Sequence, residues 1–339
     1  MVRAFSLQFD DKSKLEAQPS LNALPPSRRT TVVRSAVGSL APVLQPRTRY
    51  TVGAPVAQHP EQASQQAEPQ LERLRVDPSL RSQALPAPLL AYTPMGMRSF
   101  ISAGEGGPTV VFESGLGDGK EIWGNIFNEV SAVARVFAYD RAGYGGSDPS
   151  NLQRDGHQVV QELRALLQAE EIKPPYILVG HSLGGTFVKL FARMHPGDVA
   201  GVVLVDARHS EFDKRCRQQG VHRLLYQPPQ LLFALSSRAT RAELAASALT
   251  MRQARRAGPF PPIPLIVLSQ GKATSNWPER LGKVWNASQR NLAKMSKLGR
   301  MRVCEDSGHN IHQDRPEMVT TAILSVLSAA RYAQAKAKR

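Results

Sequence analysis

The sequence predicts an α/β fold, and three observations carry that expectation. Ile177, Leu178 and Val179 form a short, wholly apolar run suited to a buried parallel strand. Directly behind it Phe187, Leu190, Phe191 and Met194 fall at i, i+3, i+4 and i+7, the spacing of an amphipathic helix, and Pro196 stops that helix. The same alternation recurs downstream. Val202 to Val205 is a second apolar run, Arg302 to Cys304 reads as another short strand, and Pro316 opens a helix with Val319, Ala322, Ile323 and Val326 on one face.

Between the first strand and its helix lies Gly180-His181-Ser182-Leu183-Gly184-Gly185. The pattern G-x-S-x-G is weak by itself, so its position decides its meaning. A sharp strand-to-helix turn imposes strained backbone angles on the serine, and Gly180 and Gly184 keep side chains out of the close approaches that follow. Such a turn leaves Ser182 Oγ exposed at the carboxyl edge of the sheet. The Leu183 N–H, at a helix N-terminus, then points toward the oxygen of a reacting carbonyl. The plainer alternative is Ser182 as a helix N-cap.

A nucleophilic serine needs a base and an orienting acid, which in this architecture follow in the order Ser, Asp or Glu, His. The run ending Val205-Asp206-Ala207 supplies a carboxylate where a strand gives way to a loop. The stretch Cys304-Glu305-Asp306-Ser307-Gly308-His309 supplies a histidine after a Gly-containing turn.

With these motifs in order, the chain resembles the α/β-hydrolase superfamily over roughly residues 95 to 332. Tyr139-Asp140-Arg141-Ala142-Gly143-Tyr144-Gly145-Gly146-Ser147 is similar to its D-R-x-G-x-G-x-S turn, and Ser307-Gly308-His309 to its S-G-H signature. The resemblance implies an open, mostly parallel eight-stranded sheet with helices on both faces and a small helical cap. It also implies a Ser182, His309 and Asp206 triad at the carboxyl edge. One departure matters. Most members carry the acid after the strand preceding the last, here Pro264 to Ser269, but the first carboxylate beyond it is Glu279. The acid is therefore assigned one strand earlier, to Asp206, with Asp306, Glu305 and Glu279 as alternatives. A serine at the elbow argues against epoxide hydrolases and haloalkane dehalogenases, which use a carboxylate there.

The second oxyanion donor is expected in the loop after the strand Thr109 to Glu113. Ser114-Gly115-Leu116 stands where members often have His-Gly-x, which makes the Leu116 N–H the candidate beside Leu183; a plain tight turn is the alternative. The loop does not fit the phosphate-cradling pattern G-x-x-x-x-G-K-[ST]. Asp140 and Arg141 are read as turn-stabilising residues, and His181, His195, His209, His222 and His312 as surface or packing residues. Neither H-E-x-x-H nor C-x-x-C occurs, so no metal site and no cofactor is expected. The expected chemistry is cleavage of a carboxylic ester through an acyl-enzyme. Acyl transfer, thioester cleavage and a catalytically silent ligand-binding protein are the alternatives.

Composition bounds the rest. Residues 1–90, rich in Pro, Gln, Ser and Ala, read as a disordered or processed leader, and 91–339 as a single hydrolase domain with a cap inserted at about 208–261. That insertion holds ten Lys and Arg against three Asp and Glu, nearly half of the net charge of +15. Such a cap suits a small anionic acyl substrate, against the plainer reading of a solvated helical face. The basic residues are not interleaved with stacking aromatics, so no nucleic acid is expected. Two cysteines, no transmembrane run and no signal peptide fit a cytoplasmic protein, with oligomeric state left open.

Overall fold

A computed structural model describes residues 74, 76–225, 235–272 and 277–337; residues 1–73 of the expected leader lie outside the described residues. Eight strands form one sheet: β1 (Leu89–Thr93), β2 (Gly96–Ala103), β3 (Thr109–Glu113), β4 (Val136–Tyr139), β5 (Tyr176–His181), β6 (Val199–Val205), β7 (Leu265–Gln270) and β8 (Gly299–Cys304). Their order is β1-β2-β4-β3-β5-β6-β7-β8. β2 runs antiparallel to both neighbours, and every pairing from β4 to β8 is parallel.

The central strands are buried along nearly their whole length and mainly apolar, because both faces of the sheet are covered; Glu113, His181, Ser269 and Gln270 stand at their carboxyl ends. Side chains alternate between faces. Ile177, Val179, Val203 and Val205 join one core with Val110 and Phe112, while Leu178, Val202 and Leu204 join the other with Val111 and Phe137. Two helices close the first face, α1 (Gly124–Ser131) through Ile126, Phe127 and Val130, and the C-terminal helix through Val319, Ile323 and Leu327. Three close the second: α2 (Gly156–Ala169) through Leu163 and Leu166, α3 (Gly184–Met194) through Leu190 and Phe191, and α6 (Glu279–Ala293) through Leu292. Each such side chain contributes about 1.5–3 kcal/mol on burial. The sheet, its order and its covering helices match the fold class expected from the sequence.

Between β6 and β7 the chain forms α4 (Phe212–Gln218) and α5 (Arg238–Arg256), the latter capped by Ser237, whose side chain accepts from Thr240 N. After β8 come a single turn, α7 (Ile311–Asp314), and the C-terminal helix α8 (Pro316–Ala337). Ahead of β1, a 3-10 turn at Pro78–Ser82 reaches α1 through the ion pair of Arg81 with Glu129, and Asn128 Nδ2 donates to Gln83 O at 2.7 Å. Among the described residues no helix is long and apolar enough to cross a membrane. The carboxyl ends of β3, β5, β6 and β8 lie along one edge of the sheet, where α/β sheets build their sites.

Candidate active site

The turn from β5 into α3 has the strain its sequence implies. Ser182 has φ = 51°, a left-handed value that is uncommon for a non-glycine residue. Its N–H donates to Val205 O at 3.1 Å, pinning the turn to β6. The glycines are required by contact. A Cβ on Gly180 would lie 2.7 Å from Gly185 Cα, one on Gly184 2.3 Å from Glu113 O, and one on Gly185 2.3 Å from Ala207 Cβ. The third approach, which the sequence reading missed, packs the elbow against the residue after Asp206.

Ser182 Oγ lies 3.0 Å from His309 Nε2, and His309 Nδ1 lies 2.7 Å from Asp206 Oδ2. The structure therefore brings the three residues into one hydrogen-bonded line. Asp206 is fully buried, whereas the His309 side chain is 37% exposed, so the line runs from the protein interior toward solvent. Asp206 also holds a left-handed backbone, φ = 44°, directly after β6. Its second oxygen, Oδ1, accepts from Gln270 N at 3.1 Å and Trp285 Nε1 at 2.9 Å. Three donors on one buried carboxylate fix its orientation. With Nδ1 of His309 donating to Asp206, Nε2 is left as the acceptor facing the serine hydroxyl. The alternative acids lie elsewhere: Asp306 is exposed and paired with Arg315 at 3.1 Å, and exposed Glu279 with Lys283 at 2.6 Å. Glu305 is exposed.

Trp285 and Gln289 stand one turn apart on α6. Gln289 Nε2 donates to Ala207 O at 2.9 Å while Trp285 holds Asp206, so a single helix face grips the β6 turn twice. The indole also sits edge-on to the His309 ring, with centroids 6.0 Å apart. In the sequence, the i, i+4 spacing of Trp285 with Gln289 is the one available signal for this role. Local pattern cannot say that this face meets β6.

Leu116 and Leu183, the two candidate oxyanion donors, pack together with Val159, Phe187 and Met251. Neither of their N–H groups donates a hydrogen bond among the described residues. The loop that carries Leu116 is held from below. Ser114 Oγ donates to Gly119 O at 2.8 Å and accepts from Trp123 Nε1 at 3.0 Å. Arg141 donates to Ser114 O and Gly115 O, both at 2.7 Å.

Arg141 is buried and spends its guanidinium fully: the loop carbonyls, Glu113 at 2.8 Å, and Glu243 of α5 at 2.8 and 2.9 Å. Burial works against its charge, but Glu243 and Glu113 outweigh it and hold the guanidinium well above its ordinary range. It therefore stabilises more than the local turn expected of it, joining the Leu116 loop to the inserted helix α5. Asp140 also reaches beyond its own turn: it accepts from Lys120 N at 2.9 Å and from the Lys120 ammonium, beyond the β3 loop, as well as from Gly146 N at 3.3 Å.

Two histidines flank the line and are buried. His181 Nε2 donates to the His309 carbonyl at 3.2 Å, and its ring lies 4.4 Å from that of His312. Burial, then the neighbouring histidines, holds His181 well below the ordinary imidazole range and lowers His312 to about 4. Both are thus neutral packing groups near pH 7, and the first anchors the His309 loop.

An open, mostly parallel sheet with a strained serine at its carboxyl edge defines an α/β protein built on the hydrolase plan. The profile of the alpha/beta hydrolase family matches residues 110–322, and the chain belongs to that family. The "Uncharacterized protein YqjL" of Bacillus subtilis is 30% identical over 233 residues, covering 67% of this chain and 86% of that one. Among solved structures, a thermophilic esterase from Thermogutta terrifontis superposes with a TM-score of 0.54 at 20% identity, covering 72% of this chain and 99% of its own. The enol-lactonase from Burkholderia xenovorans LB400 gives a TM-score of 0.55 at 19% identity, covering 71% and 100%. At these identities the likeness to the solved structures is one of fold.

Proposed function

We propose that the protein is a serine hydrolase that cleaves a carboxylic ester through an acyl-enzyme, with Ser182 as nucleophile, His309 as base and Asp206 as the orienting acid. The observation that carries this reading is the unbroken line from Ser182 Oγ through His309 to buried Asp206, at 3.0 and 2.7 Å. His309 Nε2 takes the hydroxyl proton as Oγ attacks the acyl carbon, and Asp206 stabilises the imidazolium that forms. The free N–H groups of Leu183 and Leu116 receive the oxyanion; one such donor contributes about 3 kcal/mol to the transition state. His309 then returns the proton to the leaving alcohol, and water attacks the acyl-enzyme by the same route.

Residues 91–339, together with the 3-10 turn and the start of β1 just ahead of them, act as one catalytic domain, with α4 and α5 as the cap. Its support is that Met251 of α5 packs against Leu183 and Phe187, and Glu243 of α5 ties down Arg141. Hydrolysis and acyl transfer differ only in whether water or an alcohol meets the acyl-enzyme.

The test is covalent labelling by a fluorophosphonate probe of the wild-type chain and Ser182→Ala under matched conditions. Labelling of the wild type that vanishes in the variant is the expected result. Absence of labelling in a folded wild-type chain would overturn the reading in favour of a silent ligand-binding protein.

A further inference from the structure

Away from Ser182, helices α4 and α6 face each other across a cavity of about 360 Å³. Lys214 and Arg215 enter its wall from α4, Arg280 and Lys283 from α6, and Glu211 is the only carboxylate among the lining residues. Glu211 is already engaged by Arg215 at 3.3 Å, and Lys283 reaches Glu279 at 2.6 Å. Lys214 and Arg280 have no partner among the described residues. The Arg215 Nε–H is buried and also lacks a hydrogen-bond acceptor. Four cations around one hollow, opposed by one lining carboxylate, repel one another. Lys214, Arg280 and Lys283 are exposed, so the hollow opens to solvent, and the four cations border it from two different helices.

The chemistry of that space selects its ligand. Arg guanidinium forks match phosphate oxygens in pairs, and Lys adds point charges. A dianion or higher offsets the surplus better than a single carboxylate. Val284 and Ala287 form an apolar part of the wall, and the amides of Gln218 and Gln219 border it, which suits an organic group attached to the phosphate.

We propose that the cavity between α4 and α6 is a binding site for a phosphate-bearing ligand, held by Lys214, Arg215, Arg280 and Lys283. This stands independently of the serine chemistry, since none of Ser182, Asp206 and His309 lines the cavity. The phosphate has two possible sources, a free phosphorylated molecule or the headgroup of an anionic lipid.

The experiment is calorimetric titration of the full chain with inorganic pyrophosphate at low salt, alongside sedimentation with phosphatidylcholine vesicles containing about one-fifth phosphatidic acid. Two double variants are compared, Lys214→Glu with Arg280→Glu in the cavity, and Lys297→Glu with Arg300→Glu on exposed surface elsewhere. Both change net charge equally, and circular dichroism checks that both fold. Saturable binding of one pyrophosphate, weakened at least about tenfold by the cavity pair and less than about twofold by the distant pair, is expected. Binding to vesicles with the same variant pattern would name the headgroup as the source, and pyrophosphate binding without it the free ligand. Absence of both, or equal loss in the two double variants, would overturn the site, leaving a basic surface only. Ser182→Ala binds pyrophosphate like the wild type, so failure of the ester-cleaving reading would leave this result untouched.

Discussion

Asp206 illustrates how much one side chain depends on donors it does not choose. Its Oδ1 accepts from Trp285 Nε1 and Gln270 N, and this leaves Oδ2 free to align His309. Trp285→Phe removes the N–H together with part of the bicyclic ring and keeps a smaller aromatic ring against Phe212 and Trp277. A hydrogen bond to a charged group contributes about 1.5–3 kcal/mol, so fluorophosphonate labelling should slow by about ten- to a hundredfold while the fold persists. Wild-type labelling rates in that variant would remove Trp285 from the machinery. Lys189 presents the opposite case, a charge with little support. It is buried in α3, donates to Arg208 O at 2.6 Å, and burial, with Arg193 adding to it, lowers it from 10.5 to about 7. Between those values the unfolded chain binds the extra proton, so this group makes stability rise with pH across the window and adds nothing above it. Lys189→Met removes that slope. The variant should gain on the wild type as pH falls from about 9 to 7, by of order 1 kcal/mol per unit, in urea melts at each pH. A pH-independent difference would mean that Lys189 titrates normally.

At the level of elements, helix α5 is joined to the sheet by charge as well as by packing. Glu243 receives Arg141 on both oxygens, and Tyr144 Oη donates to it at 2.9 Å. Glu243→Gln keeps the shape and deletes the charge, leaving buried Arg141 with Glu113 as its remaining carboxylate partner. Breaking a buried pair from one side costs about 3 kcal/mol, so the urea midpoint should fall accordingly. The Leu116 loop should loosen as well, because the same guanidinium holds the Ser114 and Gly115 carbonyls. An unchanged midpoint would show that the pair is offset by its own desolvation. The elbow itself was legible in the sequence, since glycine and serine at that spacing answer to a local constraint. The grip of α6 on the β6 turn was not, because helical periodicity gives a face and never its partner.

For the whole molecule, the proposed boundary between leader and domain leads to a pair of truncations. The described chain already has α1 tied to the 3-10 turn through Arg81 and Gln83 before β1 adds an edge strand to β2. Removing residues 1–73 should leave the thermal midpoint unchanged. Removing residues 1–95 takes away the 3-10 turn and β1 and should lower it by several degrees, since about 1 kcal/mol moves the midpoint of a domain of this size by about 2–4 °C. Equal midpoints for the two truncations would move the domain boundary past β1.

The sequence by itself determined the α/β class and the strained serine turn, because each is written in contiguous residues under local steric or periodic constraint, and the resemblance of Ser307-Gly308-His309 to a family signature singled out His309. The sequence offered a short set of carboxylates as partners for His309. Only the tertiary structure brings one of them to it: Asp206 and His309 are 103 residues apart, and they meet because β6 and β8 flank β7 in one parallel sheet. Trp285, Gln289 and Glu243 became visible in the same way, since hydrogen bonds between distant elements depend on which faces the sheet brings together.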